Sequence, residues 1–108
     1  MIKVDILVNP LSEKIYGIEL KGHAESAPYG QDLVCAAVSA IITGGANAIE
    51  NQSLFDIQLE SGKAKIKLKE DKFISSADES VLKVIAIQLK TIAESYGQFI
   101  ETIVKERI

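Results

Sequence analysis

Apolar and polar residues alternate in two segments near the start of the chain. Residues 2–8 carry apolar side chains at every second position, with lysine and aspartate between them. A turn is predicted at Asn9-Pro10, after which residues 16–20 alternate again up to Gly22. A period of two is expected of a strand with one buried face. These two segments are therefore predicted to be strands.

A loop and a first helix are predicted next. Residues 24–31 contain proline and glycine and predict a loop. Asp32 can cap a helix by accepting backbone N–H bonds. The apolar positions after it fit a helical period: Val34, Val38, Ile41, Ala48 and Ile49. Gly44-Gly45 lies within this pattern and costs about 1 kcal/mol per glycine relative to alanine. Either the helix ends there or another element packs closely against it.

A β-hairpin is the clearest local pattern. Residues 55–60 and residues 63–69 both alternate, and Ser61-Gly62 between them predicts a two-residue turn. That register pairs position 60 with 63, 58 with 65 and 56 with 67. Lysines at alternate positions of the second strand are consistent with a nucleic-acid patch, but the facing strand is acidic. The pattern therefore favours a solvated face with opposite charges paired across the strands.

A second helix and a last strand complete the pattern. Residues 75–78 supply capping side chains, and Gly97 predicts the end of the helix. The apolar stripe between them comprises Val81, Leu82, Ile85, Leu89, Ile92 and Tyr96. Residues 99–104 are rich in β-branched side chains and predict a fifth strand, with a helical continuation as the weaker alternative.

The order ββαββαβ predicts an α+β fold, with a small, largely antiparallel sheet and two helices packed on one face. At 108 residues the chain has room for one domain and no second core. The net charge of −3 gives no reason to expect direct binding to nucleic acid or to an anionic membrane. The sequence has no pattern of a signal peptide or of a membrane-spanning helix.

The single cysteine and the single histidine are the candidates for chemistry. A lone cysteine forbids an internal disulfide and fits a reducing cytoplasm. His23 follows the second predicted strand, and Cys35 falls at about the third position of the first helix. The free N–H groups at a helix start favour a thiolate and could stabilise an oxyanion, and a nearby imidazole would transfer protons.

The residue types alone leave other interpretations of this pair open. A lone cysteine is also a common core residue, and a histidine at a strand end is often structural. One cysteine and one histidine make half of a tetrahedral metal site at best, and no glycine-rich phosphate-binding loop is present. We therefore expect no metal and no cofactor.

The segment from Gly22 to Ser39 closely resembles the motif of the ribosomal-processing cysteine protease (Prp, or YsxB-like) family. It carries Gly-His-Ala at 22–24 and Gly-x-Asp-x-Val-Cys-Ala-Ala-Val-Ser at 30–39. The resemblance implies one Prp-like cysteine protease domain over residues 1–108. It also implies that His23 is the base and Cys35 the nucleophile of a catalytic dyad that works through an acyl-enzyme.

The same resemblance implies a substrate and an assembly. Members of the family remove a short N-terminal extension from a large-subunit ribosomal protein, and they form homodimers. Four further motif residues, Gly22, Gly30, Asp32 and Ser39, would support the site or bind substrate. The last three could instead shape the loop, cap the helix and bond the backbone. Two other functions are consistent with the residues: a non-catalytic, ribosome-associated peptide-binding module and a redox-sensing thiol.

Overall fold

The alternating segments form strands and the helical patterns form helices. The computed structural model describes residues 1–24 and 32–107, so most of the predicted loop at 24–31, including Gly30, lies outside the described residues. The elements are β1 (Ile2–Val8), β2 (Ile15–Lys21), α1 (Leu33–Ala48), a 3₁₀ turn (Gln52–Leu54), β3 (Phe55–Glu60), β4 (Lys63–Leu68), α2 (Ser76–Ser95) and β5 (Ile100–Glu106). The predicted order ββαββαβ and the α+β class are confirmed.

The strands form one sheet in the order β3-β4-β2-β1-β5. Neighbouring strands are antiparallel except β1 and β5, which are parallel. The first and last strands of the chain therefore lie side by side near one edge. Periodicity within each segment predicts the strands but carries no information about this spatial order.

The hairpin of β3 and β4 has the predicted register. Glu60 pairs with Lys63 and Asp56 with Lys67, so the acidic and basic side chains share a face, as the solvated-face interpretation requires. The open face of the sheet continues this mixture across β1 and β2, where Asp5 pairs with Glu19 and also forms an ion pair with Lys105 at 2.9 Å.

The other face of the sheet and the two helices enclose the hydrophobic core. The buried residues of α1 are Val34, Val38, Ile42 and Ala46, and those of α2 include Leu82, Ile85, Ala86 and Leu89. Two predicted core positions are wrong by this measure: Ala48 is exposed and Ile41 only half-buried. The buried positions of α1 keep a helical period through the glycines, but they fall at Ile42 and Ala46 and not at Ile41 and Ala48. Tyr96, predicted at the end of the second stripe, is 50% exposed because the helix ends at Ser95.

The pair Gly44-Gly45 lies inside a continuous helix, and α2 packs closely against it. A β-carbon on Gly45 would overlap Ile85, lying 2.6 Å from its Cγ1 atom, whereas one on Gly44 would meet nothing within 4 Å. Of the two alternatives that the sequence leaves open, close packing is the correct one. Neither of these helices, which belong to the described part of the chain, is long and apolar enough to cross a membrane.

Candidate active site

Cys35 occupies the first turn of α1, where the helix is capped by a side chain. Asp32 is the N-cap, and its Oδ1 atom accepts the N–H of Cys35 at 2.9 Å. This bond is the usual N-cap arrangement, in which a carboxylate satisfies one of the free N–H groups at a helix start. The bond also fixes the Asp32 carboxylate against the backbone of Cys35. The cap predicted from the sequence is confirmed.

His23 lies where β2 leaves the sheet, and the backbone there is held by two hydrogen bonds. The Gly22 N–H donates to the carbonyl oxygen of Gly62 at 2.9 Å, and the Met1 nitrogen donates to the carbonyl oxygen of His23 at 2.7 Å. Gly22 has a φ of +103°, and a β-carbon there would overlap the carbonyl oxygen of Met1. A glycine is therefore required for the chain to turn out of the strand at this point.

A third hydrogen bond joins this strand end to the helix start. The N–H of Ala24, which is buried, donates to the sulfur of Cys35 at 3.3 Å. Since Ala24 directly follows His23, the bond brings the Cys35 thiol next to the backbone that carries the histidine. The N–H also points its positive end at the sulfur.

The imidazole of His23 is exposed and rests against the turn of the β3–β4 hairpin. A β-carbon on Gly62 would lie 2.6 Å from Nε2, 3.1 Å from Cε1 and 3.4 Å from Cδ2 of that ring. Contact of this kind is possible only because residue 62 has no side chain. The solvent-exposed ring remains open to a substrate.

The remaining motif residues lie around this pair. Gly22 turns the chain, Asp32 caps the helix, and Ser39 is exposed on α1 one turn after Cys35. Gly30 lies outside the described residues. The structure therefore brings Gly22, His23, Asp32 and Cys35 together within one region.

Two further residues belong to this region and were not predicted from the sequence. Ala24 contributes its N–H to the sulfur, and Gly62 contributes the surface beneath the histidine ring. Gly62 is recognisable in the sequence only as a turn residue, because its contact with His23 joins segments about 40 residues apart. Ala24 is part of the Gly-His-Ala motif, but a small apolar side chain gives no signal of a backbone role.

The arrangement supports nucleophilic chemistry at sulfur. The Cys35 N–H already donates to Asp32, and the Ala36 N–H donates to the Asp32 carbonyl oxygen at 3.1 Å. These two amides are therefore engaged in the resting site, the second of them in the first hydrogen bond of the helix itself. The Ala24 N–H, which is directed at the sulfur, is a candidate donor to an oxyanion on an attached carbon.

No metal-binding cluster accompanies the thiol in the described residues. Residues 1–24 and 32–107 contain no group of three or more histidine, cysteine, aspartate or glutamate side chains that could hold a metal ion.

The fold and the site together define a small α+β cysteine protease, with a thiol at a helix start beside a strand-end histidine. The chain belongs to the cysteine protease Prp family, whose sequence model matches residues 1–101.

Individual relatives agree with this assignment. The ribosomal processing cysteine protease Prp of Staphylococcus aureus is 31% identical over 100 residues, which cover 91% of this chain and 93% of that protein. The Prp of Mycoplasma pneumoniae is 42% identical over 82 residues, covering 73% and 77% of the two chains. A crystal structure of the S. aureus protease in complex with a covalently linked product peptide superimposes with a TM-score of 0.83 at 32% identity, covering 97% of this chain and all of that one.

Proposed function

We propose that this cysteine protease is an endopeptidase that removes the short N-terminal extension of a large-subunit ribosomal protein, with Cys35 as nucleophile and His23 as base. The hydrogen bond from the Ala24 N–H to the Cys35 sulfur, 3.3 Å long, is the observation that carries the proposal. It holds the reactive sulfur beside the residue that follows His23, which supports a dyad of the two side chains. The relatives named as ribosomal processing proteases support the choice of substrate.

The first half of the reaction forms an acyl-enzyme. The Cys35 thiolate attacks the carbonyl carbon of the scissile peptide, and the carbonyl electron pair moves to oxygen. When that pair returns, the C–N bond breaks and the leaving amine takes a proton from the imidazolium of His23. The amino-terminal part of the substrate is then held as a thioester. The covalently linked product peptide in the S. aureus relative supports an intermediate of this kind.

The second half releases the acyl group. The now neutral His23 takes a proton from water as the water oxygen attacks the thioester carbon. The C–S bond breaks, the thiolate of Cys35 is restored, and the peptide leaves with a carboxyl terminus. No third catalytic side chain is required, so the site works as a dyad in this scheme.

The other motif residues have supporting roles in the proposal. Asp32 caps α1 and holds the Cys35 backbone, and Gly22 permits the turn that presents His23. Ser39 lies on the exposed side of α1 near the thiol and is available to bind a substrate peptide. Gly30 lies outside the described residues, and its supporting role is proposed from its place in the motif alone.

We also propose the wider setting that the resemblance implies. Residues 1–108 form a single catalytic domain, supported by one sheet to which the first and last strands both contribute. The protein acts in the cytoplasm as a homodimer, and its partner is the ribosomal-protein substrate rather than nucleic acid. The lone cysteine supports a reducing compartment.

Two substitutions test the dyad on a peptide that spans the ribosomal-protein extension. Cys35→Ser should abolish cleavage and retain peptide binding, because a hydroxyl is not ionised at neutral pH. His23→Ala should lower kcat/KM by at least about 100-fold, the usual contribution of a general base. The alkylation rate of Cys35 at pH 7 should also fall in His23→Ala, and it reports on one thiol only, since the chain has one cysteine.

The same experiment separates the alternative functions. Lys21→Ala, at an exposed residue two positions before His23, is the control and should cleave and alkylate at nearly the wild-type rate. Cleavage by Cys35→Ser at the wild-type rate would show that the nucleophile is wrongly assigned. If the wild-type protein and Cys35→Ser bind the peptide equally and neither cleaves it, a peptide-binding module replaces the protease.

A further inference from the structure

The turn between β3 and β4 forms a surface on which the His23 imidazole rests. The outer edge of the ring faces Gly62 so closely that a β-carbon there would lie 2.6 Å from Nε2. Real β-carbons do not approach another heavy atom so closely, so any side chain at position 62 would displace the ring. His23 is exposed, and its ring can therefore move away instead of forcing the core apart.

The turn and the histidine are also joined through the backbone. Gly62 accepts the Gly22 N–H on its carbonyl oxygen at 2.9 Å, and Gly22 is the residue immediately before His23. The hairpin turn is thus bonded to the segment that carries the ring as well as contacting the ring itself. The φ of Gly62 is +77°, in the left-handed region that favours glycine. Both this backbone conformation and the contact with the His23 ring therefore require glycine at position 62.

We propose that Gly62 is a positioning residue that sets the orientation of the His23 ring for proton transfer with Cys35. This inference rests on the proposed dyad and assigns part of its geometry to a hairpin that contributes no reactive group. Proton transfer depends steeply on the placement of the base. A ring that is displaced by a side chain at position 62 loses the orientation that the turn gives it, so proton transfer with Cys35 should slow.

Two variants at this position separate positioning from stability. Gly62→Ala and Gly62→Asn both introduce a β-carbon, but asparagine tolerates the left-handed conformation better than alanine. We expect both to lower kcat on the extension peptide by about 10-fold or more, with KM changed by less than about 3-fold. We expect Gly62→Asn to be the more stable of the two in urea unfolding. If kcat instead changes in parallel with stability, so that Gly62→Asn cleaves at nearly the wild-type rate, the proposal is overturned.

Ser61→Ala is the matched control in the same turn. Ser61 is exposed, and its substitution introduces no β-carbon and leaves Gly62 beneath the ring. It should retain the wild-type kcat and KM. A loss in Ser61→Ala equal to that in Gly62→Ala would show that the reaction depends on the hairpin generally, and would contradict a specific role for Gly62.

A double substitution tests whether Gly62 acts through His23. The alkylation rate of Cys35 should fall in Gly62→Ala and in His23→Ala, but Gly62→Ala should have no further effect once His23 is alanine. The pH dependence of alkylation in Gly62→Ala should approach that of His23→Ala, which a purely structural change would not cause. Equal, additive losses in the two backgrounds would reject the proposal.

The only histidine of the chain allows this inference to be separated from the proposed function. NMR can follow the ring protons of this single histidine. Gly62→Ala should shift their signals, while Ser61→Ala should not. If His23→Ala cleaves normally, the base assignment is wrong and the catalytic role of Gly62 is lost with it. If His23→Ala is inactive while Gly62→Ala cleaves normally, the dyad stands and only the positioning role is wrong.

Discussion

Asp78 is a charged residue that is almost completely buried, with 1% of its surface exposed. It belongs to the first turn of α2, and its carboxylate accepts the backbone N–H groups of Glu50 at 2.8 Å and Asn51 at 3.2 Å. The side-chain amide of Asn51 donates a third bond at 2.8 Å. Burial by itself raises the pKa of Asp78, but these donors outweigh it and hold the pKa below its usual value. The carboxylate thereby joins the segment after α1 to the start of α2.

The lowered pKa makes this residue a contributor to acid sensitivity. The unfolded chain takes up a proton at Asp78 at a higher pH than the folded protein does, so the stabilisation is complete above about pH 4 and is lost as the pH falls through the folded pKa. Asp78→Asn removes one acceptor and should reduce the free energy of unfolding at pH 7 by about 3 kcal/mol. The difference between the variant and wild type should shrink below pH 4.

Urea unfolding at pH 7 and at pH 3 measures both effects. The control is Asp71→Asn, because Asp71 is exposed and has a φ of +59°, which asparagine also adopts readily. It should change the stability by less than about 0.5 kcal/mol. A difference between Asp78→Asn and wild type that is the same at both pH values would contradict an ionised Asp78 in the folded state.

The two helices meet at Gly45, whereas the adjacent Gly44 faces open space. Gly44→Ala should stabilise the protein by about 0.5–1 kcal/mol, since alanine is the better helix former and the site is open within 4 Å. Gly45→Ala should destabilise it by about 1–3 kcal/mol, because the new methyl group overlaps Ile85. Thermal or urea unfolding measures the stability of the two single variants, which carry the same chemical change at neighbouring positions.

A second substitution in α2 tests the cause. Ile85→Val shortens the side chain that the methyl group would meet, so Gly45→Ala should cost less in that background than in the wild type. Stabilisation by both glycine substitutions would mean that α1 and α2 are farther apart than the structure has them.

The elements that the sequence predicts well are those defined by neighbouring residues. The register of β3 and β4 follows from alternation and from the Ser61-Gly62 turn between them, both local properties. The predicted core positions of α1 differ from the observed ones because Ile41 and Ile42 are adjacent apolar residues, and either of them fits a helical period. The parallel pairing of β5 with β1 joins residues about 98 positions apart, and no local pattern encodes it.

The candidate site was predictable to the same extent. His23 and Cys35 carry distinctive chemistry within a long motif, and Asp32 carries a cap signal, so all three are visible in the sequence. The role of Gly62 depends on how the hairpin packs against the end of β2. That contact results from the sheet order β3-β4-β2, which the sequence alone did not predict.

At the scale of the whole molecule, the outer surface of the helices carries several exposed apolar side chains. No residue of α1 from Leu33 to Ala48 is charged, and Leu33 is 79% exposed. On α2, Val84 and Ile87 are 53% and 62% exposed. An apolar helical surface of this kind is often covered in an assembly, which supports the homodimer that the family resemblance implies.

Light scattering at micromolar concentration tests this assembly. We expect a mass of about twice the 11.7 kDa of one chain, and Val84→Glu should reduce it towards one chain by placing a charge on the apolar surface. Leu11→Glu is the control, because Leu11 is 81% exposed in the turn between β1 and β2. A wild-type mass near 11.7 kDa would contradict the homodimer.

The backbone bonds of residues 22–24 have a consequence for the growing chain on a ribosome. They connect the site with Met1, with the start of α1 and with Gly62, so the site needs segments that lie about 60 residues apart in the sequence. Strand β1, which begins directly after Met1, also pairs with β5, and β5 is synthesised after the other described strands. Contacts between such distant segments form late in folding. We therefore expect proteolytic activity to arise only after β5 has left the ribosomal exit tunnel, so that a partly synthesised chain carries its cysteine without a working protease.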